Sequence, residues 1–166
     1  ELDTEKYAIF LRSLKMQIKL YREESIPLFT TLQQMQQKYG MLTGAMSIEH
    51  EGQKLTLQMA NSFLKDTNRE LRKAIYEKVN EARLEKSGEL NQLFTELISL
   101  RDKVAKQADH ANYRDFKMDA LGRFDYTAED CFTFHRAIEA ECVPLKNKVD
   151  LARKETLGLE TLKPFD

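Results

Sequence analysis

The chain has 166 residues, 42% of them apolar, with 26 basic and 27 acidic side chains and a formal net charge of −1. These figures fit one ordinary globular domain and exclude both a strongly basic nucleic-acid binder and an acidic disordered tail. No apolar run approaches the roughly 18 to 20 residues that cross a bilayer, and no signal-peptide pattern opens the chain, so a cytoplasmic protein with no membrane and no nucleic-acid partner is expected.

Only 3 prolines and 6 glycines interrupt the sequence, and between them apolar residues recur mostly at spacings of three and four. The pattern predicts a mainly α protein, an elongated bundle of long amphipathic helices with one small β-hairpin. Residues 1–43 are expected to form a helical pair. Tyr7, Phe10, Leu11, Leu14, Ile18 and Tyr21 line one side, and the stripe resumes past Pro27 with Leu28, Leu32, Met35 and Tyr39. Pro27 lacks an amide hydrogen and disfavours helix just before it, which puts a break near Ser25 and Ile26. Gly40 suits a helix C-terminus.

Residues 44–57 read differently. Ala45, Met46, Ile48, Leu55 and Leu57 flank a polar Glu49-His50-Glu51-Gly52-Gln53 tip, the pattern of a short hairpin whose glycine supplies the positive φ of a tight turn. Two strands alone are marginal, so the hairpin must lean on helices or on something outside this chain.

Residues 58–166 return to long helices. Thr56 or Asn61 is positioned to start one, and Asp66, Thr67 or Asn68 to cap the longest, which carries Leu71, Ile75, Ala82, Leu90, Leu93, Phe94, Leu97, Ile98, Val104 and Ala105 toward Gln107. Unbroken, its roughly 39 residues would span about 58 Å, longer than the about 40 Å diameter of a compact globule of this size. Either Ser87-Gly88 interrupts it or the molecule is elongated, and a long element with a kink at Gly88 is the reading kept, because a lone glycine costs about 1 kcal/mol and does not by itself end a helix. Asp109 to Asn112 reads as a loop and Tyr113 to Leu121 as a helix that Gly122 terminates. Thr127 then caps the last long helix, with Asp130 as its capping-box acid and a kink at Pro144. Leu157 to Asp166 has no periodic partner and looks cut.

Little conventional chemistry is encoded. His50, His110 and His135 lie far apart, and none belongs to a His-Glu-x-x-His helix that would hold zinc beside a general base. His50 on the hairpin tip and His110 in its loop are expected to be exposed. Cys131, His135, Glu139 and Cys142 share one helix face, yet the first and last stand about 16 Å apart, too far for one helix to gather more than two as ligands. The same distance excludes a disulfide within that helix. A core cysteine beside a partly buried histidine explains Cys131 and His135 more simply than a metal half-site. Gly40 and Gly44 lack the preceding strand and following Lys-Ser/Thr of a phosphate loop.

The densest feature is Asn112-Tyr113-Arg114-Asp115 followed by Gly122-Arg123-Phe124-Asp125-Tyr126-Thr127. Two Arg and Asp pairs among aromatics can fix a helix-loop-helix corner through planar, charge-assisted contacts. Tyr113, Arg114, Asp115, Arg123, Asp125 and Tyr126 are therefore the candidate residues, either of a structural corner or of a cleft that contacts a ligand.

These same stretches, together with Val143-Pro144-Leu145, Leu157-Gly158-Leu159 and Pro164-Phe165-Asp166, resemble the oligoendopeptidase F group of the thimet-oligopeptidase-like zinc metallopeptidases. Gly52 in a hairpin, Arg69 and Arg72 opening a helix and Leu93 to Lys106 ending in Leu-Arg-x-x-x-Ala-Lys are similar to the same group. The resemblance implies an N-terminal, non-catalytic helical portion of a zinc endopeptidase, forming a wall of the channel that admits short unstructured peptides. It implies zinc in the complete protein and no cofactor in this chain. The family's His-Glu-x-x-His and catalytic half would follow the Pro164-Phe165-Asp166 segment, so no catalytic or metal-binding residue is assigned here, and the chain by itself is expected to be inactive. Its partners would be the remainder of the parent peptidase and an oligopeptide. A stand-alone helical scaffold or interaction domain is the alternative reading, and a small metal-binding enzyme using Cys131 and His135 is a third.

Overall fold

A computed structural model describes residues 3–166. The elements run α1 (Ala8–Leu20), a 3-10 turn (Glu23–Ser25), α2 (Ile26–Gly44), β1 (Ser47–His50), β2 (Gln53–Thr56), α3 (Leu57–Ser62), a second 3-10 turn (Phe63–Lys65), α4 (Arg69–Glu85), α5 (Ser87–Gln107), α6 (Tyr113–Ala120), α7 (Ala128–Ala137), a π turn (Ile138–Cys142) and α8 (Val143–Thr156). The fold is mainly α with one antiparallel hairpin, in agreement with the helical spacing of the apolar residues. Contacts divide it into two units, residues 3–38 with Gln92–Cys131, and Tyr39–Asn91 with Phe132–Asp166.

In the first unit α1 ends at Leu20 because Tyr21 and Arg22 turn extended. The Arg22 guanidinium donates to the carbonyls of Lys19 at 2.9 Å and Tyr21 at 2.8 Å, satisfying acceptors that the helix end leaves open. The break thus precedes the Ser25–Ile26 position inferred from Pro27. Pro27 instead occupies the first turn of α2, where an amide hydrogen has no helical partner to lose. Ser25 is buried and donates its hydroxyl to Gln107 Oε1 at 2.6 Å. Leu93, Leu97, Val104 and Ala105 form the buried stripe of α5, and Phe116 is the buried residue of α6. Asn112 caps α6 by accepting from the Asp115 amide at 3.0 Å. Gly122, at φ +66°, closes the helix. Gly40 does not end α2, which continues to Gly44; an interior glycine weakens a helix without terminating it.

The second unit has its core around the hairpin. Ser47 pairs with Thr56, Ile48 with Leu55, Glu49 with Lys54 and His50 with Gln53. The two-residue tip, Glu51 at φ +50° and Gly52 at φ +75°, has the double positive φ of a type I′ turn, whose twist suits flanking strands. One face of this hairpin buries Ile48 and Leu55 against Ala60, Ile75 and Val79, with Leu57, Phe63, Leu64, Leu71 and Ala82 around them. The support that a two-stranded sheet requires therefore comes from α3 and α4. Thr56 caps α3 through the Met59 amide, and Asn68 caps α4 through the amides of Glu70 and Leu71.

The long element predicted through Gly88 is two helices. Its interruption is Lys86, one residue before α5, where the Ser87 hydroxyl donates back to the Leu84 carbonyl at 2.7 Å and competes with continued helix. Gly88 lies within the first turn of α5. At Pro144 the expected irregularity takes the form of the π turn Ile138–Cys142 just before α8. A proline cannot donate to the carbonyl four residues back, and its ring crowds that group, here on Ala140 inside the widened turn.

The tail is partnered, contrary to its reading as an unmatched end. Gly158, at φ +64°, closes α8, and the Leu159 amide donates to the Lys154 carbonyl at 3.1 Å. The chain then returns to the start of α4, where Arg69 and Arg72 hold Phe165 and Asp166. Hydrophobic periodicity misses this return because a guanidinium-carboxylate pair anchors it.

Candidate functional site

Around Asn112 to Thr127 the side chains find partners only partly those that sequence order suggests. Arg114 Nε donates to Asp115 at 2.7 Å, and Asn112 Nδ2 donates to the other carboxylate oxygen at 2.8 Å. These contacts, the Arg114 hydrogen bond first, hold the Asp115 carboxyl below the usual carboxylate range. Tyr113 stacks on Phe116 with ring centroids 5.8 Å apart and lies beneath the Arg101 guanidinium. Asp125 is bonded by Arg12 of α1 at 3.4 Å, and the same guanidinium sits 4.5 Å from the centroid of the Phe124 ring. Arg123 contributes a backbone bond, its amide donating to the Met118 carbonyl at 3.0 Å. Arg123, Asp125 and Tyr126 are exposed. At the following helix, Thr127 and Asp130 form the reciprocal capping box, each amide bonded by the other's side-chain oxygen.

His110 is not an exposed loop histidine. Its side chain is only 10% exposed, with Nδ1 2.7 Å from the Ala108 carbonyl oxygen and Nε2 3.0 Å from Asp119 Oδ2. The ring meets Phe116 edge-on at 5.6 Å. Lys19 reaches the same Asp119 oxygen at 3.3 Å, and the two partners, His110 first, hold the Asp119 carboxyl below its ordinary range. This cluster ties α1 to α6 and to the loop before it. Beside it a groove of about 230 Å³, lined in part by Ser13, Gln17, Leu121 and Phe124, is small for an extended peptide.

The second unit contains the other dense cluster. Arg69 grips Asp166 with both Nε at 2.8 Å and Nη2 at 3.0 Å, while Arg72 Nε donates to the Phe165 carbonyl at 2.6 Å. The Asp166 carboxylate is fully covered and also accepts from the Lys163 amide at 2.9 Å. Phe165 lies between the Arg69 guanidinium, 5.2 Å from its centroid, and the Tyr76 ring at 5.7 Å. Arg69, Arg72, Phe165 and Asp166 are among the residues that carry the resemblance, but their mutual contact has no local signal because it joins positions 93 residues apart for Arg72 with Phe165 and 97 for Arg69 with Asp166.

Among the described residues no group of three or more His, Cys, Asp or Glu side chains is placed to hold a metal ion. Cys131 is partly buried and Cys142 exposed, both as free thiols, and His135 faces Phe132 with ring centroids 6.3 Å apart. No described helix is long and apolar enough to cross a membrane.

The arrangement of helices around a single hairpin is that of the oligopeptidase structures. The chain superimposes over 98% of its length, with a TM-score of 0.92 and 22% identity, on 30% of a chain described as an oligoendopeptidase F from Bacillus anthracis strain Ames. Pz peptidase A with an inhibitor gives a TM-score of 0.93 at 23% identity, covering 98% of this chain and 29% of that one. A further oligoendopeptidase F structure gives 0.91 at 23% identity, covering 95% and 28%. At these identities the likeness establishes the fold, and the chain spans less than a third of the length of the structures it matches. The model of peptidase family M3 matches residues 62–166, and the chain belongs to that family. Comparison with curated proteins gives no match.

Proposed function

We propose that this chain is a non-catalytic helical segment of a zinc-dependent oligopeptidase of the cytoplasm, forming one wall of a channel for short unstructured peptides. Carrying the reading is its membership of peptidase family M3 combined with a span of about 30% of the peptidase structures it overlays. The remainder of the parent polypeptide is its partner in this reading and supplies the zinc ligands. Apolar side chains left bare along α7 and α8, among them Phe134 at 64% exposure and Leu145 at 62%, support the need for such a partner. Two free thiols suit a reducing compartment. In the corner, Asp115 is already bonded by Asn112 and Arg114, which supports a structural role for Tyr113, Arg114 and Asp115, and leaves the exposed Arg123, Asp125 and Tyr126 as the residues able to meet a peptide.

The purified 166-residue chain is expected to leave a quenched fluorescent peptide intact with or without added zinc, and the parent polypeptide to cleave it in a chelator-sensitive way while sparing folded proteins. Zinc-dependent turnover by the chain alone, or a parent lacking peptidase activity, would overturn the reading.

A further inference from the structure

We propose that the outer edge of β2 docks an extended peptide, which adds to the hairpin as a third strand with a carboxylate opposite Lys54 and apolar residues on either side of it. Among the described residues the sheet has two strands, so each has one edge without a neighbouring strand. In a hairpin with a two-residue turn the closing pair, His50 and Gln53, exchanges both backbone bonds, as does Ile48 with Leu55. The alternate pairs, Glu49 with Lys54 and Ser47 with Thr56, turn their amides and carbonyls outward. On β1 the outward Glu49 carbonyl accepts from Lys78 Nζ at 2.8 Å, which places α4 against that edge. On β2 the outward groups are the amide and carbonyl of Lys54 and the amide of Thr56, and none has a partner among the described residues.

The backbone of this edge and the groove below it define the occupant. Three main-chain groups at strand spacing are met by another extended backbone, whereas a helix keeps its own amides and carbonyls internally bonded. Between β2 and α3 lies a groove of about 690 Å³, lined by Gln53, Leu55, Gln58, Met59, Ser62 and Phe63. Leu55 belongs to the core and Met59 is 55% exposed, so the groove prolongs the Ile48–Leu55 row past the edge of the sheet. In an antiparallel third strand the residues opposite Gln53 and Leu55 point toward that groove, and the residue opposite Lys54 points to the other face, beside the lysine. Lys54 is exposed and forms no ion pair among the described residues, so an acid at that position meets a free charge.

The inference is independent of the peptidase reading and is tested on the ¹⁵N-labelled 166-residue chain by titration with acetyl-Thr-Val-Glu-Ile-Thr-amide, whose Glu is to lie opposite Lys54. Saturable shifts at Lys54, Thr56 and Met59 are expected, together with slowed hydrogen exchange of the Lys54 and Thr56 amides, which exchange fast in the free chain. N-methylation at the Glu, whose amide faces the Lys54 carbonyl, is expected to weaken binding about tenfold or more, and N-methylation at the Val, whose amide faces away, about twofold or less. Replacing the Glu by Lys is expected to weaken binding to the wild type about threefold and to restore it to Lys54→Glu. Absence of saturable binding, equal losses from the two N-methyl peptides, or shifts confined to another surface would overturn the proposal. So would Lys54 and Thr56 amides already protected without peptide, whether in a dimer seen by sedimentation, which would make a second copy the occupant, or in the parent polypeptide, which would make its remainder the occupant.

Discussion

Arg69 holds Asp166 in a two-point grip across 97 residues of sequence, Nε to Oδ1 at 2.8 Å and Nη2 to Oδ2 at 3.0 Å. The two donors of a planar guanidinium match the two oxygens of a carboxylate, and an ammonium cannot reproduce that match. Arg69→Lys is therefore expected to loosen the tail, and Arg69→Gln to release it, read as faster amide hydrogen exchange from Leu159 to Asp166 with the helices of the same unit still protected. Unchanged exchange in both variants would show that the grip is dispensable.

The same pair sets a pH dependence. The Arg69 hydrogen bond, ahead of the Lys163 amide and the charge of Arg72, holds the Asp166 carboxyl below its ordinary range. An unfolded aspartate titrates near about 3.9. With the folded value lower than the unfolded one, the contribution to stability is complete above that pH and is lost as pH falls through the folded value. Asp115, Asp119 and Asp130 are also held low, so the acid limb of wild-type stability is a composite. Its Asp166 part is the difference between wild type and Asp166→Asn, expected to be constant at neutral pH and to shrink in acid. A difference that grew as pH fell would reverse the assignment.

Burial separates two kinds of apolar residue that the sequence pattern treats alike. Ile75 is fully buried among Ile48, Leu55, Ala60 and Val79, and Ile75→Ala is expected to cost about 2 to 5 kcal/mol in denaturant unfolding. Leu145, 62% exposed, is expected to tolerate Ser within about 0.5 kcal/mol. The Leu145→Ser change should instead lower any self-association of the isolated chain, measurable by light scattering. Equal destabilisation by the two substitutions would mean that α8 is covered.

Gly52 tests the hairpin. At φ +75° it occupies a conformation that a Cβ disfavours, although the space around it is open. Gly52→Ala is expected to cost about 1 to 2 kcal/mol from backbone strain alone, and Gly52→Asn less, since asparagine tolerates the left-handed region. Equal stabilities of the Ala and Asn variants would argue against the type I′ geometry.

Local chemistry was legible in the sequence wherever a residue acts on its near neighbours. Asn68 and Thr127 cap the helices that follow them, Glu51-Gly52 turns the hairpin and Gly122 closes α6. Helix ends set by weak or distant terms were not. Gly40 suggests a terminus, yet the helix outlasts a penalty of about 1 kcal/mol, and the Lys86 break depends on a serine hydroxyl turning back by three residues. The corner was half legible. Arg114 pairs with the adjacent Asp115, but Asp125 finds Arg12 at a separation of 113 residues and His110 is buried by Phe116 and Asp119, relations that no periodicity encodes.

The widened turn at Ile138–Cys142 acts as a phase shifter in an otherwise continuous rod. One residue accommodated outside the regular 3.6-fold winding rotates everything after it by roughly 100° relative to an uninterrupted helix. Phe134 before the shift and Leu145 after it consequently belong to differently oriented stripes, and a single flat neighbour cannot cover both. Whatever shields them must curl around the axis or arrive as two separate elements.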